Sequence, residues 1–387
     1  MEKTQPSLTP IRHDRSGRIH AFEVQARLHH HYHVVYQAGL LSRYGRLFLS
    51  EIGNRMVVVL TDTRVQRLYG PVLASSFQEV GMEPGWLVVP EGEKSKRVEM
   101  YCRLLDQMAE LGIDRRAVLV NFGGGVISDL GGFLASSYLR GIHYVNLSTS
   151  FLGQADACVG GKVGVNVSRA KNFVGAFYHP RHVAGDPALL RTLSERDYRS
   201  GLAEAIKVAI IMSPEYFRFL EKNRSRILDR DSEILVHVVG EAARYKMNMI
   251  SRDPYENDLR RPLNFGHTLG HPIETEFQYR NIRHGEAVAI GMGVSTAIAV
   301  LKGILSESEA ERIYSLLDAY GLLGFSEPIR PDRVVEHIRY VRLVRANHLH
   351  FVLPKAVGGV EVTDDVTNAD LIRGFEAFNE VVQWKKA

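Results

Sequence analysis

The length, composition and charge of the chain indicate an ordinary globular protein. Its 387 residues are 45% hydrophobic and 24% charged, which suffices for two domains and excludes an extensively disordered chain. The formal net charge of +4 at pH 7 is too small to indicate nucleic-acid binding, although it slightly favours a small anionic substrate.

Cysteine usage and hydropathy predict a cytoplasmic protein. The two cysteines, Cys102 and Cys158, lie in segments predicted as helix and loop, so we expect no secreted disulfide framework. Residues 1–18 are polar and lack the apolar core of a signal peptide. Because we find no run of about 18 apolar residues, we also expect no membrane span.

The first half of the chain alternates β-rich runs with helical patterns. A histidine-rich tract at residues 29–33 lies in an alternating, strand-like pattern, which we interpret as a strand rather than a metal site. Residues 95–111 have helical spacing, with Ser95 as a candidate N-cap. The predicted strands are residues 56–60, 86–89, 117–121 and 143–147. Such alternation predicts a parallel sheet that binds ligands at the carboxyl ends of its strands.

After about residue 195 the pattern becomes mainly helical. Ser306 and Glu309 form a capping-box pattern that opens a further helix, Gly358 and Gly359 mark a small hairpin, and a last helix follows Asn368. The other predicted helices span residues 196–226, 232–251, 262–277 and 284–302. We therefore predict an α/β domain at residues 1–194 and a mainly helical domain at residues 195–387.

Two glycine-containing segments of the first half are candidate binding sites. Glycines 123–125 follow a strand and open a helix, which suits a phosphate but, without the dinucleotide GxGxxG spacing, equally suits a tight turn. Asp156, Lys162, Lys171 and Asn172 place charged and amide groups among small residues, which favours an anion or polyol site over a solvated loop.

The second half contains candidate metal ligands. Glu204 and Lys207 share one face of an apolar helix, and their burial would require a metal or substrate as partner. His267 and His271 lie four residues apart, and His284-Gly285-Glu286 opens the next helix. Three imidazoles and a carboxylate predict a zinc site. A zinc protease is disfavoured because Thr268 replaces the catalytic glutamate of HExxH.

Together these segments resemble the sugar-phosphate cyclase family, typified by 3-dehydroquinate synthase. The resemblance is most specific at residues 123–130, 156–177, 200–207, 263–274 and 284–289. It implies a Rossmann-like N-terminal domain that binds NAD, a helical C-terminal domain that binds zinc or cobalt, and a homodimer. It also implies an anionic sugar-phosphate substrate in the cleft and no nucleic-acid or membrane partner.

The resemblance also assigns individual residues. The metal ligands that it implies are Glu204, His267 and His284. The residues that it assigns to NAD are Asp62, Glu93, Lys96, Gly124, Gly125, Asp129, Thr149, Ser150, Lys171, Thr192 and Leu193. Those that it assigns to substrate are Arg140 (from the partner subunit), Asp156, Lys162, Asn172, Lys207, Lys246, Glu256, Arg260, Asn264 and His271.

The implied reaction is a lyase reaction without net oxidation. A substrate alcohol is oxidised transiently by NAD, phosphate is eliminated, the hydride returns, and ring opening with an intramolecular aldol step closes a carbocycle. In this scheme zinc polarises the oxidised alcohol. Lys162, Asn172 and Arg140 hold phosphate, and the planar fork of Arg260 suits a carboxylate.

Some positions depart from the dehydroquinate synthase pattern. Arg345 stands where cyclases of sedoheptulose 7-phosphate have an arginine, and Arg64 replaces an expected asparagine at the NAD site. Asn264 and His271 nevertheless match dehydroquinate synthases. We therefore predict conversion of 3-deoxy-arabino-heptulosonate 7-phosphate to 3-dehydroquinate, with a cyclase of sedoheptulose 7-phosphate as the alternative. A metal-dependent polyol dehydrogenase is less favoured, because its substrates do not require the predicted cluster of lysines and arginine.

Overall fold

The computed structural model describes residues 9–10, 22–23, 30–167, 170–256, 259–278, 280–324, 329–344 and 349–386. The chain divides into a small unit, residues 1–32, and a large unit, residues 33–387. In the small unit, strand β1 (Thr9–Pro10) pairs antiparallel with β2 (Phe22–Glu23). All elements described below belong to the large unit.

A six-stranded sheet forms the N-terminal part of the large unit. Its strands are β3 (His33–Tyr36), β4 (Val57–Asp62), β5 (Gly85–Val89), β6 (Val118–Gly123), β7 (His143–Ser148) and β10 (His182–Gly185). Their order is β3-β10-β7-β6-β4-β5, and every neighbouring pair is parallel. The parallel sheet expected from the four apolar runs is confirmed, and each predicted strand boundary lies within two residues of the observed one.

Helices cover both faces of this sheet. They are α1 (Tyr44–Ile52), α2 (Thr63–Gln78), α3 (Val98–Glu110) and α4 (Gly125–Ser137). Side chains alternate along each strand, so Val58 and Leu60 pack with α3 and α4, whereas Val57 and Val59 pack with α1 and α2. Burial on both faces explains why these strands are continuous apolar runs.

A β-hairpin occupies the segment that was expected to be a loop. Strand β8 (Lys162–Val167) pairs antiparallel with β9 (Ala170–Phe177), after a π-helical turn at Gly153–Ala157. Val163 and Val165 of the hairpin are buried in the same cluster as α4. The expected Gly-containing loop is confirmed at residues 158–161, which form a turn, but it is wrong for Lys162, Lys171 and Asn172, which lie on the two strands. The hairpin packs on α4, which its Gly- and Lys-containing sequence does not reveal.

The C-terminal part is mainly helical, as predicted. Its elements are α5 (Glu195–Met212), α6 (Pro214–Lys222), α7 (Arg224–Leu228), α8 (Ser232–Arg252), α9 (His267–Glu276), α10 (His284–Leu301), α11 (Glu307–Ala319), α12 (Pro331–Val344), the hairpin β11 (Phe351–Ala356) with β12 (Gly359–Thr363), and α13 (Asn368–Lys386). The single helix predicted at 196–226 is instead α5, α6 and α7. Ser213 caps α6 and Pro214 opens it, which breaks the helical run.

Helix α10 forms the centre of this part. Of the helices in the described ranges, it is the one with the length and hydropathy of a membrane span, but 78% of that window is buried. Its contacts are with α5, α9, α11, α13 and β11. Its apolar composition therefore reflects a position in the protein core.

Candidate active site

Glu204, His267 and His284 approach one another from three different helices, α5, α9 and α10. Oε1 of Glu204 lies 3.5 Å from Nε2 of His267 and 3.4 Å from Nε2 of His284. One ligand atom from each of the three residues lies within 4.8 Å of the others. The three residues that the resemblance assigns to the metal are thus adjacent in space.

Glycines allow these helices to approach so closely. A Cβ atom at Gly285, beside His284, would lie 1.8 Å from the carbonyl oxygen of Ser200 on α5. The amide of Gly285 donates a hydrogen bond to Oγ of Ser200, over 3.0 Å. A Cβ atom at Gly291 would lie 2.0 Å from the carbonyl oxygen of Gly266, the residue before α9. Helix α10 therefore contacts the backbone of both other ligand-bearing segments.

The electrostatics of the three residues suit a cation. Burial raises the pKa of Glu204, but Lys207, His267 and His284 outweigh burial and hold it well below its usual value. Burial and Lys207 lower the pKa of His267 to about 3, so that imidazole is neutral at pH 7. Burial opposes protonation of His284, but the Glu204 and Glu274 carboxylates that face its two ring nitrogens raise its pKa to about 10.

The donor set fits a zinc ion. The two buried oxygens of Glu204 accept no hydrogen bond of standard geometry from the described residues, although Nζ of Lys207 makes an ion-pair contact of 2.5 Å with Oε2. Two imidazoles and one carboxylate are the protein ligands of many catalytic zinc sites, in which the fourth position is left to water or substrate. A buried carboxylate is costly without a cationic partner, so these residues could hold Zn²⁺ or a similar divalent ion.

His271 and Glu286 lie outside the group of Glu204, His267 and His284. The sequence had suggested His271 because it lies four residues after His267, and Glu286 because it lies two residues after His284. His271 is exposed, and it belongs to a second cluster with Glu274 and His284. Glu286 instead binds Arg196 through two contacts of 2.6 and 2.7 Å. In the histidine tract, His33 contacts Glu51 instead, with 2.6 Å between its Nδ1 and Oε2 of Glu51.

Beside the metal group, two further predicted residues, the buried Lys246 and the half-buried Asp156, form an ion pair. Nζ of Lys246 donates to the carbonyl of Asp156 over 2.7 Å and lies 3.1 Å from its Oδ1. Burial raises the pKa of the Asp156 carboxyl, but Lys246 and Lys207 lower it by more than burial raises it, so the pKa is below its usual value. Ammonium and carboxylate groups from α5, α8 and the π-helical turn therefore share one region.

A group of cationic side chains extends from this region. Lys162 pairs with Glu256, whose φ of 57° places it in the left-handed region. Arg260 is 2% exposed, and its Nε and Nη1 atoms donate no hydrogen bond to any residue in the described ranges. A buried, unsatisfied guanidinium is costly unless an anion binds it.

The remaining predicted substrate residues are more scattered. Asn172, with φ of 53°, lies on β9, where its backbone N–H donates a 2.9 Å hydrogen bond to Oδ1 of Asn166. Asn264 ends the 3-10 turn Arg261–Asn264 that precedes α9. Arg140 is exposed in the 3-10 turn Tyr138–Arg140. Arg345 lies outside the described residues.

The predicted NAD residues lie mainly at the carboxyl edge of the parallel sheet. Asp62 ends β4 and caps α2, Gly124 and Gly125 follow β6, and Thr149 and Ser150 follow β7. Thr192 and Leu193 end the turn after β10. This is the edge at which parallel sheets bind nucleotides.

Local contacts support a cofactor cradle at this edge. A Cβ atom at Gly124 would lie 3.0 Å from Oγ of Ser150, so a side chain there would fill the space. Lys96 makes a buried 2.5 Å contact with Asp129. Glu93 accepts a 2.8 Å hydrogen bond from Asn166, which connects the turn after β5 to the β8–β9 hairpin. Lys171, on β9 of the same hairpin, lies 3.1 Å from Glu274.

Comparisons with known proteins identify the family. Residues 86–200 match the family described as 3-dehydroquinate synthase N-terminal, and residues 201–341 match 3-dehydroquinate synthase C-terminal. The chain belongs to the 3-dehydroquinate synthase family. The predicted resemblance to this family is confirmed, as is the predicted fold class.

Relatives in the dehydroquinate synthase family have more than one named activity. The chain is 38% identical to the 3-dehydroquinate synthase of Desulforamulus reducens over 342 residues, which cover 88% of this chain and 95% of that protein. It is 42% identical to the 2-epi-valiolone synthase of Actinosynnema mirum over 330 residues, 84% of this chain and 86% of that protein.

A solved structure has the same fold as this dehydroquinate synthase family member. It is the 2-epi-5-epi-valiolone synthase ValA of Streptomyces hygroscopicus subsp. jinggangensis, with NAD+ and Zn2+ bound. The identity is 29%, the TM-score is 0.86, and the match covers 93% of this chain and 99% of that chain. A butanol dehydrogenase of Thermotoga maritima, at 12% identity and a TM-score of 0.62, shares the fold alone.

Sequence reasoning missed one residue of the site. Glu274 is 3% exposed and contacts both His284 and Lys171. Its sequence signal is weak: it lies three residues after His271 on α9, a spacing that also occurs in many surface helices.

Proposed function

We propose that the chain is an NAD- and metal-dependent sugar-phosphate cyclase that converts 3-deoxy-arabino-heptulosonate 7-phosphate to 3-dehydroquinate. It is a carbon–oxygen lyase that releases phosphate. The observation that supports this proposal most is the proximity of Glu204, His267 and His284, next to the buried lysines Lys207 and Lys246. Family membership gives the reaction class, and the site supplies groups for an anionic polyol substrate.

The metal site and the sheet edge have complementary roles. Glu204, His267 and His284 hold the zinc ion, or cobalt, which when bound acts as a Lewis acid on a substrate oxygen. The glycines and polar residues at the sheet edge hold NAD, which supplies reversible hydride transfer. We further propose a boundary near residue 194 between the cofactor-binding and the metal-binding domain.

The charged side chains orient the substrate. Lys246 and Asp156, already hydrogen-bonded to each other, face hydroxyl groups that gain or lose protons. Arg260 binds the carboxylate through its buried Nε and Nη1 groups, which donate to no residue in the described part of the chain. Lys162 and Asn172 bind phosphate together with Arg140 of the second subunit of a homodimer. The exposed position of Arg140 is consistent with a role in a partner's site.

A cyclase of sedoheptulose 7-phosphate is the second candidate. The 42% identity to the Actinosynnema mirum 2-epi-valiolone synthase and the fold match to ValA favour it. Asn264 and His271, which match dehydroquinate synthases, favour the first candidate. Because the substrate is selected in the pocket, we give these two positions more weight than overall identity. We also propose a cytoplasmic location, which the free cysteines Cys102 and Cys158 support.

Phosphate release from two substrates tests the proposal. The enzyme is incubated with 3-deoxy-arabino-heptulosonate 7-phosphate or with sedoheptulose 7-phosphate, and free phosphate and absorbance from NADH are followed. We expect phosphate from the first substrate without accumulation of NADH. Release from the second alone would identify the alternative, and steady NADH formation would indicate a polyol dehydrogenase.

Loss of a ligand tests the metal assignment. We expect His267→Ala and Glu204→Ala to lose activity and tightly bound zinc together, because three protein ligands are needed for tight binding. Retention of both zinc and activity by either variant would contradict the assignment.

A further inference from the structure

Glu274 is a buried carboxylate between a metal-site histidine and the β8–β9 hairpin. It is 3% exposed on α9. Its Oε2 lies 3.3 Å from Nδ1 of His284, and its Oε1 accepts a 3.1 Å hydrogen bond from Nζ of Lys171. One side chain therefore contacts both the metal group and a strand of the other part of the large unit.

The two metal-site histidines are oriented in the same way. In each ring Nε2 faces Oε1 of Glu204, and Nδ1 faces an acceptor on the outer side. For His267 that acceptor is the carbonyl oxygen of Phe265, at 3.2 Å. For His284 it is the Glu274 carboxylate. A proton held on Nδ1 by such an acceptor leaves the Nε2 lone pair available to a cation.

The contacts favour this supporting role over direct ligation by Glu274. His271, Glu274 and His284 also have ligand atoms within 4.8 Å of one another. Each oxygen of Glu274, however, already faces a donor, one on His284 and one on Lys171. A cation bound there would have to displace either the Lys171 ammonium at Oε1 or the proton that His284 Nδ1 shares with Oε2. Oε1 of Glu204, in contrast, faces the Nε2 atoms of two imidazoles.

We propose that Glu274 is a positioning residue for the metal site. By accepting the hydrogen bond from Nδ1 of His284, Glu274 fixes the tautomer and the ring orientation of that histidine. The inference rests on the proposed metal site at Glu204, His267 and His284. Because the acceptor is a carboxylate instead of a neutral carbonyl, the Glu274–His284 hydrogen bond is the stronger of the two histidine supports. Glu274 thereby also raises the basicity of the metal-facing nitrogen.

Zinc affinity of Glu274→Gln tests the proposal. The dissociation constant is measured by competition with a chromophoric chelator, without NAD or substrate, on the full chain. We expect zinc binding to weaken about 10- to 100-fold, the usual effect of losing such a partner. The matched control is Glu276→Gln on the same helix, because Glu276 contacts His337 at 3.0 Å instead of the metal group. The control should bind zinc like the parent.

A second variant separates the two contacts of Glu274. Lys171→Met removes the hairpin contact and leaves the carboxylate beside His284, so zinc affinity should stay close to that of the parent. An equal loss of affinity in Lys171→Met and Glu274→Gln would overturn the proposal, because charge balance would then explain both. If Glu274→Gln does not fold, Glu274→Asp, which keeps the charge but is shorter, should show the same weakening.

The outcomes distinguish this inference from the proposed function. A parent chain that binds no zinc refutes the metal site itself, and with it the role of Glu274. A parent that binds one zinc ion together with an unchanged dissociation constant in Glu274→Gln refutes the positioning role alone. A changed absorption spectrum of the cobalt-substituted Glu274→Gln protein would support it, because the ligand geometry at His284 would have altered.

Discussion

The buried pair Glu204–Lys207 can be tested by a double-mutant cycle that separates charge balance from metal binding. Both side chains are 2% exposed, and Nζ lies 2.5 Å from Oε2. Removing one partner of such a pair leaves an uncompensated buried charge and costs about 3–5 kcal/mol of unfolding free energy. The perturbations are Glu204→Gln, Lys207→Met and the combination of the two.

Neighbouring charges set the expected size of each effect. In Lys207→Met the protonated His284, whose pKa is raised to about 10, still faces Glu204. In Glu204→Gln the Asp156 carboxylate still interacts with Lys207. We therefore expect each single variant near the lower limit, about 3 kcal/mol. The double variant should lie within about 1 kcal/mol of the parent, since a neutral pair of similar volume needs no compensation.

Urea denaturation in the presence of a chelator measures these free energies, and bound zinc is measured separately on the folded proteins. We expect Lys207→Met to retain zinc, whereas Glu204→Gln and the double variant should lose it. Two additive losses would show that the charges are not coupled. Full zinc content in the double variant would show that Glu204 is not a ligand, whatever the stabilities.

Three further predictions concern other parts of the molecule. Gly285→Ala should lose about 3 kcal/mol of unfolding free energy and weaken zinc binding, because its Cβ would lie 1.8 Å from the Ser200 carbonyl oxygen. The control Gly240→Ala, with no heavy atom within 4 Å of its Cβ on helix α8, should gain about 0.5–1 kcal/mol. Arg260→Lys should raise KM in the phosphate-release assay without changing zinc content, because lysine cannot form the planar fork. Burial lowers the pKa of His182 from 6.5 to about 4. The unfolded chain therefore takes up the proton first, so the unfolding free energy is unaffected by this residue above pH 6.5 and decreases as the pH falls from 6.5 to 4. The total decrease is roughly 3 kcal/mol. Replacing His182 with Phe should flatten this part of the stability–pH curve, and an unchanged slope would contradict the prediction.

The sheet was predictable because its strands are buried on both faces. Continuous apolar runs such as Val57–Asp62 and Val118–Gly123 differ clearly from the surrounding helical patterns. The β8–β9 hairpin was not predictable in the same way. Gly164 and Gly175 face each other in it, and Lys162 opens it, so its sequence has the composition of a loop. Only its packing on α4 makes it a hairpin.

Within the site, local patterns predicted the chemistry better than the geometry. The apolar helix around Glu204 and Lys207 indicated correctly that both are buried. The four-residue spacing of His267 and His271 suggested two ligands on one helix, but His271 is exposed and outside the Glu204 group. Glu274 was missed because one of its two partners, the hairpin residue Lys171, is about a hundred positions away in sequence.

The convergence of the three ligands depends on glycines more than on histidine spacing. Glu204 and His284 can share a cation because the backbone of Gly285 touches the backbone of Ser200, and His267 joins them because Gly291 contacts Gly266. A cation site requires ligand atoms within a few tenths of an ångström of their ideal distances, whereas one added methyl group would separate the helices by more than that. Substituting a ligand therefore removes one donor from an intact site, while a methyl group at position 285 moves His284 on α10 relative to Glu204 on α5. For this reason zinc affinity should fall in Gly285→Ala although all three ligands remain, and unchanged affinity in that variant would show that the helices can adjust without the glycine contact.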